Sequence, residues 1–147
     1  MCSVPEDLVP GVPGWGRVLL DTLETAVGED LHGLDDDVVL GLFDVLETVD
    51  RLSHALRFGV LAELDVRRLT DTRFGHVVSN AAGWRHGADP RRVRRDLKCA
   101  KTLRRALPDV AAALAEGTIS VDRAKVLAAA VNERNTGHLT EAGTRVH

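Results

Sequence analysis

The sequence predicts an all-α fold, a helical bundle with one long helix in the N-terminal half and short helix-turn-helix units after it. Three observations carry this expectation. Apolar residues from Leu42 to Leu64 recur at steps of three and four, the period of one helix face, where a half-buried strand would alternate every second residue. Capping residues stand ahead of the helical stretches, at Asp35, at Asp89-Pro90 and at Ser120. The chain is 44% hydrophobic but only 3% aromatic, with no Tyr. A core built from Leu, Val and Ala suits helix-on-helix packing better than a β-sandwich, and no segment reads as a strand.

Taken in order, residues 1–14 hold three Pro and two Gly and read as a flexible leader. A short helix follows from about Trp15 to Val27, stopped by Gly28. The long helix starts at Asp35-Asp-Asp, whose carboxylates cap it and favour the positive end of the helix dipole. Its apolar period, from Leu42 through Val49, Leu56 and Leu64, holds to Leu69, and Gly41 and Gly59 are its natural bending points. A loop spans Thr70 to Gly75, and Ser79 caps a short helix through Trp84 and His86 that ends at Gly87.

Asp89 then caps a helix with Pro90 in its first turn, where the missing N–H is no loss, and Pro108 stops that helix near Leu107. A helix over Asp109–Glu116 ends at Gly117, and Ser120 caps another from Val121 to about Val131. The expected organisation is therefore a leader over 1–14, a single helical domain over 15–131 and a tail over 132–147. The length of 147 residues suits one domain.

Charge is distributed unevenly. The net charge is −3, yet residues 1–70 carry 14 acids against 5 bases, a balance of −9, and residues 71–147 carry 8 acids against 14 bases, a balance of +6. Eight of the cations lie within the nineteen residues Asp89–Leu107. On a helical wheel with Val93 at zero, Leu97, Ala100, Leu103 and Leu107 fall between about −80° and +40°, the expected buried stripe. Arg91, Arg94, Arg95, Lys98, Lys101 and Arg105 fall between about 80° and 200° on the same wheel, so six cations form one stripe. Arg92 and Arg104 lie off it.

A merely solvated face usually mixes signs. Like charges at i, i+4 repel by about 0.2–0.5 kcal/mol per pair, and this stripe has three such pairs: Arg91 with Arg95, Arg94 with Lys98, and Lys101 with Arg105. A polyanion would relieve them, as would the acidic N-terminal half of the chain. The helix over Ser79–His86, a turn and the basic helix make a helix-turn-helix pattern. In it Arg91, Arg92, Arg94 and Arg95 would face base edges, while Lys98, Lys101 and Arg105 would face phosphates.

The remaining residue types point to no catalytic or metal chemistry. The six His, at 32, 54, 76, 86, 138 and 147, have no ligand spacing, and Cys2 and Cys99 form no Cys-x-x-Cys pair. No phosphate-binding loop, dinucleotide fingerprint or nucleophile elbow occurs. Asp35-Asp36-Asp37 is read as a cap and not as a metal cluster, and Trp84 as a core anchor more than a base-stacking platform. No cofactor, metal or small-molecule substrate is expected. No secretory signal or membrane-spanning stretch is read, and the expected location is cytoplasmic.

With the helices placed, residues 60–131 resemble the actinobacterial domain of unknown function that precedes HNH endonuclease domains, including the mycobacterial REP repeat proteins. The features that carry the resemblance are Val60-Leu-Ala-Glu-Leu-Asp65, the Trp84 helix, the Arg-rich helix through Ala100 and Leu103, Leu107-Pro108, and Ala113-Leu-Ala-Glu-Gly-Thr-Ile-Ser120 followed by Ala124. The resemblance implies a helical domain whose longer relatives carry a metal-binding HNH nuclease module C-terminal to it. After Val131 this sequence has no His-Asn-His arrangement and no zinc-knuckle Cys, and Gly83-Trp84-Arg85 lacks the apolar residue expected after the Trp.

The expected function is thus a non-catalytic DNA-binding or accessory module, a truncated relative of such proteins, acting through the six-cation stripe. The alternative is a helix-mediated interaction or self-association domain in which the acidic long helix docks on the basic one. An acid such as Asp44, Glu47, Asp50 or Glu63 facing the stripe favours that alternative, and an uncovered stripe favours a polyanion.

Overall fold

The fold is described from a computed structural model that covers residues 11–69 and 87–144, with side chains as far as Asn135 at the C-terminal end. The described residues form five helices and no strand: α1 Gly14–Val27, α2 Asp36–Val66, α3 Pro90–Arg105, α4 Pro108–Glu116 and α5 Val121–Thr144. The all-α class holds. The expected helix over Ser79–His86, with Trp84, lies outside the described residues, and so does the helix-turn-helix pair it would form with α3.

The chain divides into two units, Met1–Phe43 and Asp44–His147. In the first, α1 ends at Gly28, whose N–H bonds back to the Thr25 carbonyl at 3.2 Å, and none of its side chains is buried. The start of α2 lies here too. The Asp35 carbonyl accepts from the amides of Val38 and Val39, both at 3.0 Å, while Asp36 and Asp37 occupy the first turn, where negative charge complements the helix dipole.

The second unit has its core where the C-terminal part of α2 meets α3, α4 and α5. Phe58, Leu61 and Ala62 of α2, Cys99, Ala100 and Leu103 of α3, Leu114 of α4, and Ala124 and Ala128 of α5 form one buried cluster. Ala100, Ala124 and Ala128 are at most 1% exposed. Small side chains at these points let helix backbones approach closely, so the low aromatic content is matched by alanine contacts rather than by large rings. Thr102 is also buried. Its hydroxyl lies 2.9 Å from Asn132 Oδ1 and 3.0 Å from the Lys98 carbonyl, tying α3 to α5.

The helix ends show how much local chemistry decides. The Asp89 carboxylate accepts from the Arg91 amide at 2.9 Å, with Pro90 in the first turn. Ser120 Oγ accepts from the Arg123 amide at 3.2 Å. Gly117 closes α4 in the left-handed conformation, at φ 90°, and the Gly117 and Thr118 amides both return to the Ala113 carbonyl, at 2.9 and 3.0 Å.

Two ends depart from expectation. Periodicity carries the long helix to Leu69, but α2 stops at Val66. Arg68 takes the left-handed conformation at φ 58°, and the Leu69 amide closes on the Leu64 carbonyl at 2.9 Å. This is a glycine-type terminus built on an arginine, so no stop signal stood in the sequence. In the other direction, α5 runs to Thr144 instead of ending near Val131. The segment has no Pro, and the cost of Asn or Gly in a helix, at most about 1 kcal/mol each, weakens a helix without terminating it.

Candidate nucleic-acid interface

The basic helix α3 is buried on a broader and rotated face than its apolar residues predict. Val93, Ala100 and Leu103 are buried as expected, while Leu97 and Leu107 are only half-buried. Asp96, Cys99 and Thr102 are buried as well. On the wheel these three extend the buried face from about −60° round to 180°, because α3 packs on both α4 and α5. One consequence is that Arg95, at the far edge of the cation stripe, borders the contact with α5.

The six stripe cations separate into two groups. Arg91, Arg94, Arg95 and Lys98 are exposed, and none of them forms an ion pair with a described residue. Lys101 and Arg105 instead share one carboxylate: Lys101 Nζ lies 3.2 Å from Asp65 Oδ1, and Arg105 Nη2 lies 3.0 Å from Asp65 Oδ2. The Asp65 side chain is only 13% exposed, so this contact is partly shielded from water and salt.

Beside it, Glu63 takes Arg67 Nε at 2.7 Å and Arg104 Nη1 at 3.4 Å. The Arg67 hydrogen bond, followed by that of Arg104, holds the Glu63 carboxyl below the ordinary glutamate value. Of the four acids that sequence reasoning offered as partners, only Glu63 meets α3, and it does so through Arg104, which lies off the stripe. The decisive acid, Asp65, was missed. Its position in the last turn of α2 carries no signal until the crossing of α2 over α3 is known.

Two of the uncovered cations, Arg95 and Lys98, border a groove of about 850 Å³ between α3 and α5. Arg92, Arg95 and Lys98 line it from α3, Lys125 and the acid Glu133 from α5, and the buried Asp96 and Cys99 from within. Arg92 lies off the six-cation stripe but within the set expected to face base edges, while Lys125 was not considered and joins this surface because α5 lies alongside α3. Burial, and then the charge of Asp96, push the Cys99 thiol up, with Lys125 opposing. A protonated, enclosed thiol is a packing group and a poor nucleophile.

His54 sits on α2 with its ring 6.1 Å from that of Phe58 and Nδ1 2.9 Å from the Asp50 carbonyl oxygen. This is a packing arrangement. Among the described residues no group of three His, Cys, Asp or Glu side chains is placed to hold a metal ion, and no helix is long and apolar enough to cross a membrane.

The geometry defines an all-α module with a one-sided basic surface on α3 that extends to the edge of α5. No family model, curated protein or solved structure matches the chain.

Proposed function

We propose that this chain is a non-catalytic helical module that binds DNA through Arg91, Arg94, Arg95 and Lys98, an accessory role in keeping with its resemblance to the region that precedes HNH endonuclease domains. Lys101 and Arg105 leave the DNA-facing set, since Asp65 neutralises them within the fold. One observation carries the reading. The Lys101 and Arg105 repulsion is relieved by a shared carboxylate, whereas the Arg91–Arg95 and Arg94–Lys98 pairs have no such acid among the described residues.

A row of phosphates would relieve this repulsion and release counterions. Titration of a labelled duplex with the whole chain at low salt tests the reading. Binding is the expected result, and its absence sinks the proposal.

A second reading, self-association through the long helix, is favoured by a different observation. Much of the apolar surface of α2 between Val45 and Val60 is exposed.

A further inference from the structure

The groove between α3 and α5 holds a group that a phosphate-facing surface does not need. Asp96 is 7% exposed, yet no hydrogen bond or ion pair joins its carboxylate to a described residue. Among the described residues no side-chain oxygen or nitrogen is both fully enclosed and without a partner, so the Asp96 oxygens keep their opening on the groove they line. A carboxylate only accepts, and a nearly enclosed one calls for N–H or O–H donors. The described side chains supply none.

Its surroundings define what brings those donors. Arg92, Asp96 and Cys99 stand at i, i+4 and i+7 and so form one row on α3, while Lys125 lines the groove from α5. Asp96 raises the Cys99 thiol's value and Lys125 lowers it, so charges from both helices act on the same sulfur. Arg92, Arg95, Lys98 and Lys125 are exposed, and none forms an ion pair with a described acid, although Glu133 lines the same groove. Cys99, Ala128 and Ala129 are apolar and small and leave room for a ring, in a space of about 850 Å³ that lies in the range of small-molecule sites.

We infer that this groove binds a guanine nucleotide, with the base edge on Asp96 and the phosphate among Arg92, Arg95, Lys98 and Lys125. Guanine presents N1–H and an amino N–H side by side, the pair of donors that two carboxylate oxygens accept. Uracil and thymine present one N–H between two carbonyl oxygens, which a carboxylate repels. Adenine and cytosine set their amino group beside a ring acceptor, which leaves the second carboxylate oxygen facing a lone pair. The purine body covers the apolar lining, and the phosphate neutralises cations that the groove's own acids leave unpaired.

This goes beyond the duplex reading, with which it shares Arg95 and Lys98, and it adds Arg92, Asp96 and Lys125. The same recognition serves a free nucleotide and an unstacked guanine of a DNA strand.

Isothermal titration calorimetry of the whole chain at low salt tests the site in two arms. One compares guanosine with uridine monophosphate, and the other compares an all-thymine strand with the same strand carrying one guanine. The guanine-bearing ligand is expected to bind roughly tenfold tighter or more, the discrimination of one bidentate base contact. Preference in the first arm makes the ligand a free nucleotide, and preference in the second alone makes it a base of DNA. No guanine preference in either arm overturns the inference, and duplex binding that persists beside that result leaves the DNA reading standing.

Asp96→Asn separates recognition from packing. The amide oxygen accepts from N1–H, and the amide NH2 donates to the oxygen that xanthine carries in place of the guanine amino group. Preference should therefore pass from guanosine to xanthosine monophosphate, or to xanthine in the strand. A folded variant that keeps the guanine preference overturns the inference. Arg92→Ala with Lys125→Ala changes two exposed side chains and is expected to weaken the guanine-bearing ligand several-fold with unchanged helical circular dichroism. Unchanged affinity in that variant also overturns it, whether or not Asp96→Asn folds.

Discussion

Arg105 Nη2 lies 3.0 Å from Asp65 Oδ2, so the last cation of the basic stripe is neutralised by its own chain. With Lys101 on the other oxygen of the same carboxylate, two of six cations act in holding α3 against α2.

Asp65→Asn should therefore do two things at once. It leaves the half-buried Lys101 without its counter-charge and should cost about 1–3 kcal/mol in urea unfolding, most of it from Lys101, since the Arg105 side chain is 72% exposed and adds little. It should also strengthen duplex binding at low salt, because two further cations become free for phosphates. Loss of both stability and binding would show instead that Asp65 shapes the basic surface.

Gly117 and Arg51 should behave as one unit. Arg51 Nη1 donates to the Leu114 and Ala115 carbonyls at 2.7 and 2.8 Å, closing the C-terminal end of α4, and a Cβ on Gly117 would lie 3.1 Å from Arg51 Cζ. Gly117→Ala meets this crowding and also a left-handed φ, so a loss of about 1–3 kcal/mol is expected in thermal unfolding. Arg51→Ala should cost about 1.5–3 kcal/mol for its charge-assisted bonds. The double variant should cost less than the sum.

Arg68→Gly should stabilise the protein. Arg68 is exposed and holds φ 58° at the end of α2, a conformation that glycine adopts without strain. A net gain of about 0.5–1 kcal/mol in the urea midpoint is expected after allowing for the greater freedom of glycine in the unfolded chain. A loss would mean that the Arg68 side chain makes a contact worth more than the strain.

Glu63 should give a pH signature. Arg67, and then Arg104, hold its carboxyl below the ordinary glutamate value. Its contribution to stability is thus fully present above the unfolded value and is lost as pH falls through the lower folded value. Carboxyl NMR titration should find Glu63 below the ordinary glutamate value, and Arg67→Ala should return most of the shift.

The sequence and the fold meet most closely where the chemistry is local. Asp89-Pro90, Gly117 and Ser120 mark their helix ends because a carboxylate or a hydroxyl satisfies backbone groups, and a missing Cβ permits the left-handed turn that does so, within five residues. The end of α2 was illegible because an arginine does there what glycine usually does. The basic stripe was legible as a stripe, since one helix sets its periodicity. Which of its cations remain free was not, because that depends on Asp65 some forty residues away and on the pairing of α3 with α5 that brings Lys125 beside them.

The salt dependence of duplex binding tests the account most directly. Each phosphate contact contributes about −0.9 to the slope of log K against log salt, so R94A/R95A/K98A should make the slope shallower by up to about three units, while K101A/R105A should leave it unchanged. Equal flattening by the two variants, or no binding of the wild-type chain at low salt, would contradict the assignment of the uncovered half of α3 to DNA.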